Sequence, residues 1–112
     1  MSVTRRYVHR PPGTEVRAPW GEYTVRREGR IPYDDHDVLY ILADIAVGSA
    51  CCGTAAGRIL VVPGYIEPGD GGRRGGDPAP SRIRPVRTAR ERKAITRLLQ
   101  ARVASATVVF PP

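Results

Sequence analysis

The sequence predicts an α+β domain: a small antiparallel or mixed sheet, in the order β-β-β-α-β, with one C-terminal helix packed on it. Two apolar runs, Val38 to Val47 and Arg58 to Ile66, carry the sheet. A capped amphipathic segment after Thr88 carries the helix. The length of 112 residues fits one domain, and an apolar fraction of 41% is enough for a modest core.

Residues 1–21 read as a poorly ordered basic arm, with a short extended piece at Thr14–Ala18 and Trp20 anchoring its end. The domain proper is expected over 22–110. Tyr23 and Val25 alternate with Glu22, Thr24 and Arg26, the period of a half-buried strand. Glu28-Gly29-Arg30 is expected to turn, because Gly accepts positive φ cheaply. Val38 to Val47 (VLYILADIAV) is almost continuously apolar, as in a strand covered on both faces. Helical spacing of Val38, Ile41, Leu42 and Ile45 is the rival reading, but Gly48 and the Cys-Cys-Gly turn close the segment early. Arg58 to Ile66 (RILVVPGYI) is the next buried strand, and Pro63-Gly64 implies an edge, a bulge or a bend.

Residues 67–85 form a Gly/Pro/Arg stretch with no packing pattern, so a flexible loop is expected there. Thr88 and Glu91 make a capping box. Ile95, Leu98, Leu99 and Val103 share one helical face, and Arg90, Lys93 and Arg97 lie on the other. Ala106 to Phe110 reads as a last short strand before Pro111-Pro112. The expected core holds Tyr23, Val25, Val38, Leu39, Ile41, Leu42, Ile45, Ile59, Val61, Ile95, Leu98, Leu99, Val103 and Val108.

Charge is unevenly distributed. The net value is +7, built from +4 over residues 1–30, −5 over 31–70 and +8 over 71–112. The N-terminus lacks the apolar stretch of a signal peptide, and the longest apolar run is too short to span a bilayer as a helix. The only two cysteines are adjacent, which excludes a disulfide framework. A cytoplasmic location and no membrane partner are the resulting expectations.

Cys51-Cys52-Gly53 is the most distinctive motif. Adjacent Cα atoms lie about 3.8 Å apart, below the usual disulfide range, so a vicinal bridge would be strained and easily reduced. Two thiolates are half a zinc site, and no CxxC or HxxxH supplies the rest, so no cofactor is expected. The plain alternative is one packed thiol and one lining a turn.

Val47-Gly48-Ser49-Ala50-Cys51-Cys52-Gly53, then Gly57-Arg58 and Val62-Pro63-Gly64-Tyr65, resembles a family of small prokaryotic proteins with a Ser-Cys-Cys-Gly turn and a Val-Pro-Gly-Tyr strand end. That family has no established activity, so the resemblance implies organisation rather than chemistry. It covers 22–110 in layout and 47–66 in specific residues. Here Ala50 separates Ser49 from Cys51, and Gly57 stands where the family has a third cysteine.

Asp34-Asp35-His36-Asp37 lacks the spacing of a calcium loop and reads as a turn before a strand. His9 reads as a solvated side chain. Asp44, inside an apolar run, must be solvated or paired, with Arg26 or Arg58 as candidates. The Gly-rich segment from Gly69 to Gly76 matches no phosphate-cradling loop. Arg73, Arg74, Arg82, Arg84, Arg87, Arg90, Lys93 and Arg97 make a basic tract without interleaved aromatics. Any nucleic-acid contact through it would be electrostatic and salt-dependent.

No catalytic constellation is present, so the leading expectation is a non-catalytic accessory or interaction domain. Its contact surface would lie near Gly53, Pro63, Gly64 and Tyr65, with an unidentified protein partner or self-association. The alternatives are thiol redox or metal chemistry at Cys51 and Cys52, and nucleic-acid binding through the basic tract. Thiol titration after mild oxidation, with metal analysis of the purified protein, separates the first two. Two unreactive thiols and no bound metal would eliminate the sulfur chemistry.

Overall fold

The computed structural model describes residues 5–45, 57–67, 73–74, 77–78, 81–104 and 106–111. The strands are β1 (Arg5–Tyr7), β2 (Glu15–Ala18), β3 (Gly21–Tyr33), β4 (His36–Ile45), β5 (Gly57–Ile66), β6 (Arg73–Arg74), β7 (Asp77–Pro78), β8 (Ser81–Arg84) and β9 (Thr107–Val109). The helix is α1 (Ala89–Arg102). Seven strands form one sheet in the order β1-β8-β5-β4-β3-β2, with β9 also paired to β5, and β6 and β7 make a separate ribbon. Every pairing is antiparallel except β5 with β9.

The four-strand order expected from the sequence is therefore too small. Within the stretch taken for an arm, β2 matches the extended piece expected at Thr14–Ala18 and β1 is additional, while the stretch taken for a loop contributes β8. These strands are three or four residues long and partly exposed, so they carry little apolar signal of their own.

The turn expected at Glu28-Gly29-Arg30 is also corrected. β3 runs straight through it, with Gly29 opposite Tyr40. Gly is required there for space, because a Cβ would occupy the position of the Tyr40 ring. The chain reverses instead at Asp34-Asp35, between the paired Tyr33 and His36. Both aspartates have positive φ (50° and 62°), the requirement of a two-residue type I′ hairpin.

β4 and β5 are the central strands, and their near-continuous apolar sequences reflect burial on both faces. Val38, Tyr40 and Leu42 point to one side with Leu60, Val62 and Tyr65. Ile41, Ala43 and Ile45 point to the other with Ile59 and Val61. Residues 38–45 are thus a strand and not a helix. Pro63 sits in a bulge, where the β4–β5 register shifts between Leu39 and Ile41. It also falls between the part of β5 that pairs β9 (Ile59–Val61) and the part that pairs β8 (Tyr65, Ile66), so its missing N–H costs no bond to either strand.

Helix α1 covers the first face. Ile95 and Leu99 are fully buried, each contributing about 2 kcal/mol of apolar transfer. Leu98, expected in the core, is 41% exposed, and Val103 is only half-buried at the helix C-cap. The buried residues of the helix, Ile95 and Leu99, form a narrow stripe, and Leu98 lies outside it. Thr88 caps the N-terminus by accepting from the Glu91 N–H at 3.2 Å. The Glu91 carboxylate accepts from the Thr88 hydroxyl and from Tyr65 Oη, which ties the helix start to β5. These bonds hold the Glu91 carboxyl below its usual range, and burial pushes the Tyr65 hydroxyl up.

Replacing Gly29 with Ala should destabilise the fold by about 1–3 kcal/mol, because the Tyr40 ring must leave its site. A urea midpoint equal to or above that of the unaltered protein would show that the ring does not rest on Gly29.

Candidate functional site

The face of the sheet opposite α1 is shaped by curvature. In the strand order, β1 lies four places from β3, about 19 Å away in a flat sheet. Yet Tyr7 Oη on β1 donates a hydrogen bond to the Glu28 carboxylate on β3. The sheet must curl strongly for these strands to meet. The connection from β1 to β2 spans the gap and is held along its length. His9 Nδ1 lies 2.8 Å from Glu28, the Arg10 N–H donates to Glu28 at 3.1 Å, and the Gly13 N–H donates to the Val25 carbonyl at 2.7 Å. Tyr7 also meets the His9 ring edge-on, with centroids 5.3 Å apart.

Inside this curl lies a cleft of about 470 Å³. Ile41, Val61 and Ile83 from β4, β5 and β8 form its floor. Arg5, Arg6, Arg10 and Arg17 surround it. Trp20 forms one wall and is stacked on buried Tyr23, with ring centroids 5.3 Å apart and planes 10° from parallel. Arg10 hydrogen-bonds the Tyr23 hydroxyl, and burial raises that hydroxyl's pKa. Among the described residues that line the cleft there is no carboxylate. Arg17 also pairs with Glu22 at 3.0 Å, where both side chains are solvent-exposed, so that pair is weak.

A second depression, of about 380 Å³, includes Glu15, Glu22 and Asp44. Glu22 is paired with Arg17, and Asp44 with Arg26 at 3.5 Å across the strands. The Arg26 partner expected for Asp44 is the one found. Among the described residues, no group of three His, Cys, Asp or Glu could hold a metal ion.

Cys51, Cys52 and Gly53 lie outside the described residues, as do the side chains of Arg73 and Arg74. Tyr65 is 2% exposed, and its hydroxyl is engaged by Glu91, so it presents no contact surface. Gly64 is buried beside it, with φ of 148°, where a Cβ would strike the Arg84 carbonyl. Pro63 is half-buried and lines the cleft.

The basic tract divides. Arg84 lies over the Tyr65 ring at 4.8 Å and pairs with Glu67 at 3.4 Å, a structural role. Arg82 is exposed on β8, and Arg87, Arg90, Lys93 and Arg97 are exposed before and along α1. These helical residues lie across the sheet from the cleft arginines.

Sequence reasoning missed Arg5, Arg6, Arg10, Arg17 and Trp20 as a group. The alternation in Glu15-Val16-Arg17-Ala18 was the available signal for a strand. The curl that brings β1 to it has no sequence signature. Comparison with known proteins finds no matching family model, curated protein or solved structure. No helix among the described residues is long and apolar enough to cross a membrane.

Burial and the bond to Glu28 raise the Tyr7 hydroxyl pKa. The stability it contributes is therefore complete below the unfolded-state value of about 10 and declines as pH rises beyond it. Tyr7→Phe should cost about 1.5 kcal/mol at pH 7, the value of a hydrogen bond to a charged group. Its further loss between pH 9 and 11 should be shallower than that of the unaltered protein, though not abolished, since Tyr23 and Tyr65 titrate with the same sign. Denaturant midpoints across that range provide the check, and identical slopes would contradict the Tyr7–Glu28 lock.

Proposed function

We propose that this chain is a non-catalytic binding domain whose cleft takes a negatively charged ligand. The supporting observation is that four arginines line the cleft and that no carboxylate is among its described lining residues. Arginine presents a fixed fork of donors suited to carboxylate and phosphate oxygens. The apolar floor lowers the local dielectric and strengthens each such contact. The volume lies within the range of small-ligand sites, about 300–1,000 Å³.

The alternative anion surface is the exposed row of Arg90, Lys93 and Arg97 on α1. Among the described residues, Leu98 is the large apolar side chain exposed on that helix. A solvated helix face is the simpler account of the row.

The test is titration with inorganic tripolyphosphate, followed by amide chemical shifts at low and moderate salt. Binding should perturb β1, β2 and Trp20, weaken as salt rises, and fall about tenfold in an Arg6→Ala, Arg10→Ala double variant. Perturbations confined to residues 87–97, or none at low salt, would overturn the assignment.

A further inference from the structure

The lining of the cleft restricts the chemistry of its ligand beyond charge. Its polar residues, among those described, are four arginines and two tyrosines, with Trp20 adding an indole N–H. The arginines and the indole can only donate. The two tyrosine hydroxyls are already engaged, Tyr7 with Glu28 and Tyr23 with Arg10. Among the described residues, a ligand seated here therefore meets mainly donors and apolar surface, which favours a ligand rich in acceptor atoms.

Its shape is constrained as well. Trp20 lies parallel to Tyr23, which is 6% exposed and held by Arg10. The indole is thus backed by a fixed ring and half-buried, with its remaining surface on the cleft. Such a backed, flat, electron-rich face favours a second flat ring laid against it. Pro19, Pro63 and Pro85 add rigid apolar walls.

Resting on the anion-binding reading above, we infer that the cleft takes a nucleotide unit, its base stacked on Trp20 and its phosphate held by the arginines. The chemistry is shared by a free nucleotide and by one residue of a single strand. Among the described lining residues the side-chain acceptors are two tyrosine oxygens, both already in hydrogen bonds, so discrimination between bases is weak. Selection falls on the combination of ring and phosphate.

Trp20 is the sole tryptophan of the chain, so intrinsic fluorescence reports this wall directly. The purified full chain is titrated with adenosine, AMP, UMP, inorganic tripolyphosphate and an eight-residue oligodeoxythymidylate. AMP should quench the fluorescence and bind at least tenfold more tightly than adenosine. UMP should bind within about fivefold of AMP. An oligonucleotide affinity well above that of AMP identifies a single strand as the source, and equal or lower affinity identifies the free nucleotide.

Trp20→Leu, followed by amide shifts, should weaken AMP about tenfold and leave tripolyphosphate unchanged. Trp20→Phe keeps a ring on Tyr23 and guards against a folding defect in the Leu variant, and it should retain most AMP binding. Tripolyphosphate binding without Trp20-dependent AMP binding would sink the nucleotide inference while leaving the anion cleft standing. Failure of every anion to bind would remove both.

Discussion

One carboxylate holds the curled sheet together. Glu28 on β3 accepts from Tyr7 Oη and from the Arg10 N–H, and faces His9 Nδ1 at 2.8 Å. Three contacts, from the end of β1 and the start of the β1–β2 connection, thus converge on one side chain. Each bond to a charged acceptor contributes more than a neutral one, and the half-buried setting limits screening by water. Without this point of attachment, β1 would be a three-residue strand paired only with β8. A strand that short gains little from its ladder, so its position depends on Tyr7 reaching the opposite side of the sheet.

The curl follows from a mismatch between the two faces. One face receives α1, whose Ile95 and Leu99 bury against β4 and β5. On the other, no second layer is formed by the described residues, yet Ile41, Ala43, Ile59 and Val61 are almost wholly buried. They are covered because the sheet bends over them and because Tyr7, Val16, Ala18 and Trp20 close in from its two margins. A curled sheet covers its own inner face and shortens its open edges, which a 112-residue chain cannot otherwise achieve. Covering by margins leaves a gap between them, and the cleft is that gap.

The legible parts of the sequence were those with a dense local signal. The apolar runs of β4 and β5 required burial on both faces, and Thr88 with Glu91 announced the helix start. Pro63-Gly64 correctly marked an irregularity in β5. The misreadings share a cause. Gly29 signals a turn by composition, but its reason for being glycine is the Tyr40 ring in the facing strand. The turn expected within Asp34–Asp37 is found, at two aspartates that accept positive φ, so the misreading lies only in the extra turn that Gly29 suggested. Leu98 follows the helical stripe and yet faces solvent, because periodicity describes the helix and not the width of the surface it meets. The cleft was least legible of all. Its residues come from β1, β2, β3, β4, β5, β8 and the segments flanking the strands, and only curvature brings them together.

Charge segregation along the chain acquires a spatial meaning in this fold. The basic N-terminal third surrounds the cleft, and the basic C-terminal third supplies the exposed side of α1. The acidic middle third supplies the two central strands, whose described carboxylates lie at their ends and in the hairpin, where Asp44 meets Arg26. The sheet therefore separates two positive surfaces by a largely apolar layer. Charges on opposite sides of such a layer lie beyond the roughly 8–10 Å over which salt leaves them coupled. Each surface consequently acts on its own. The helical row attracts anions at long range without a shape to select among them. The cleft adds a rigid aromatic wall and an apolar floor to the same attraction, and only there does electrostatics combine with geometry.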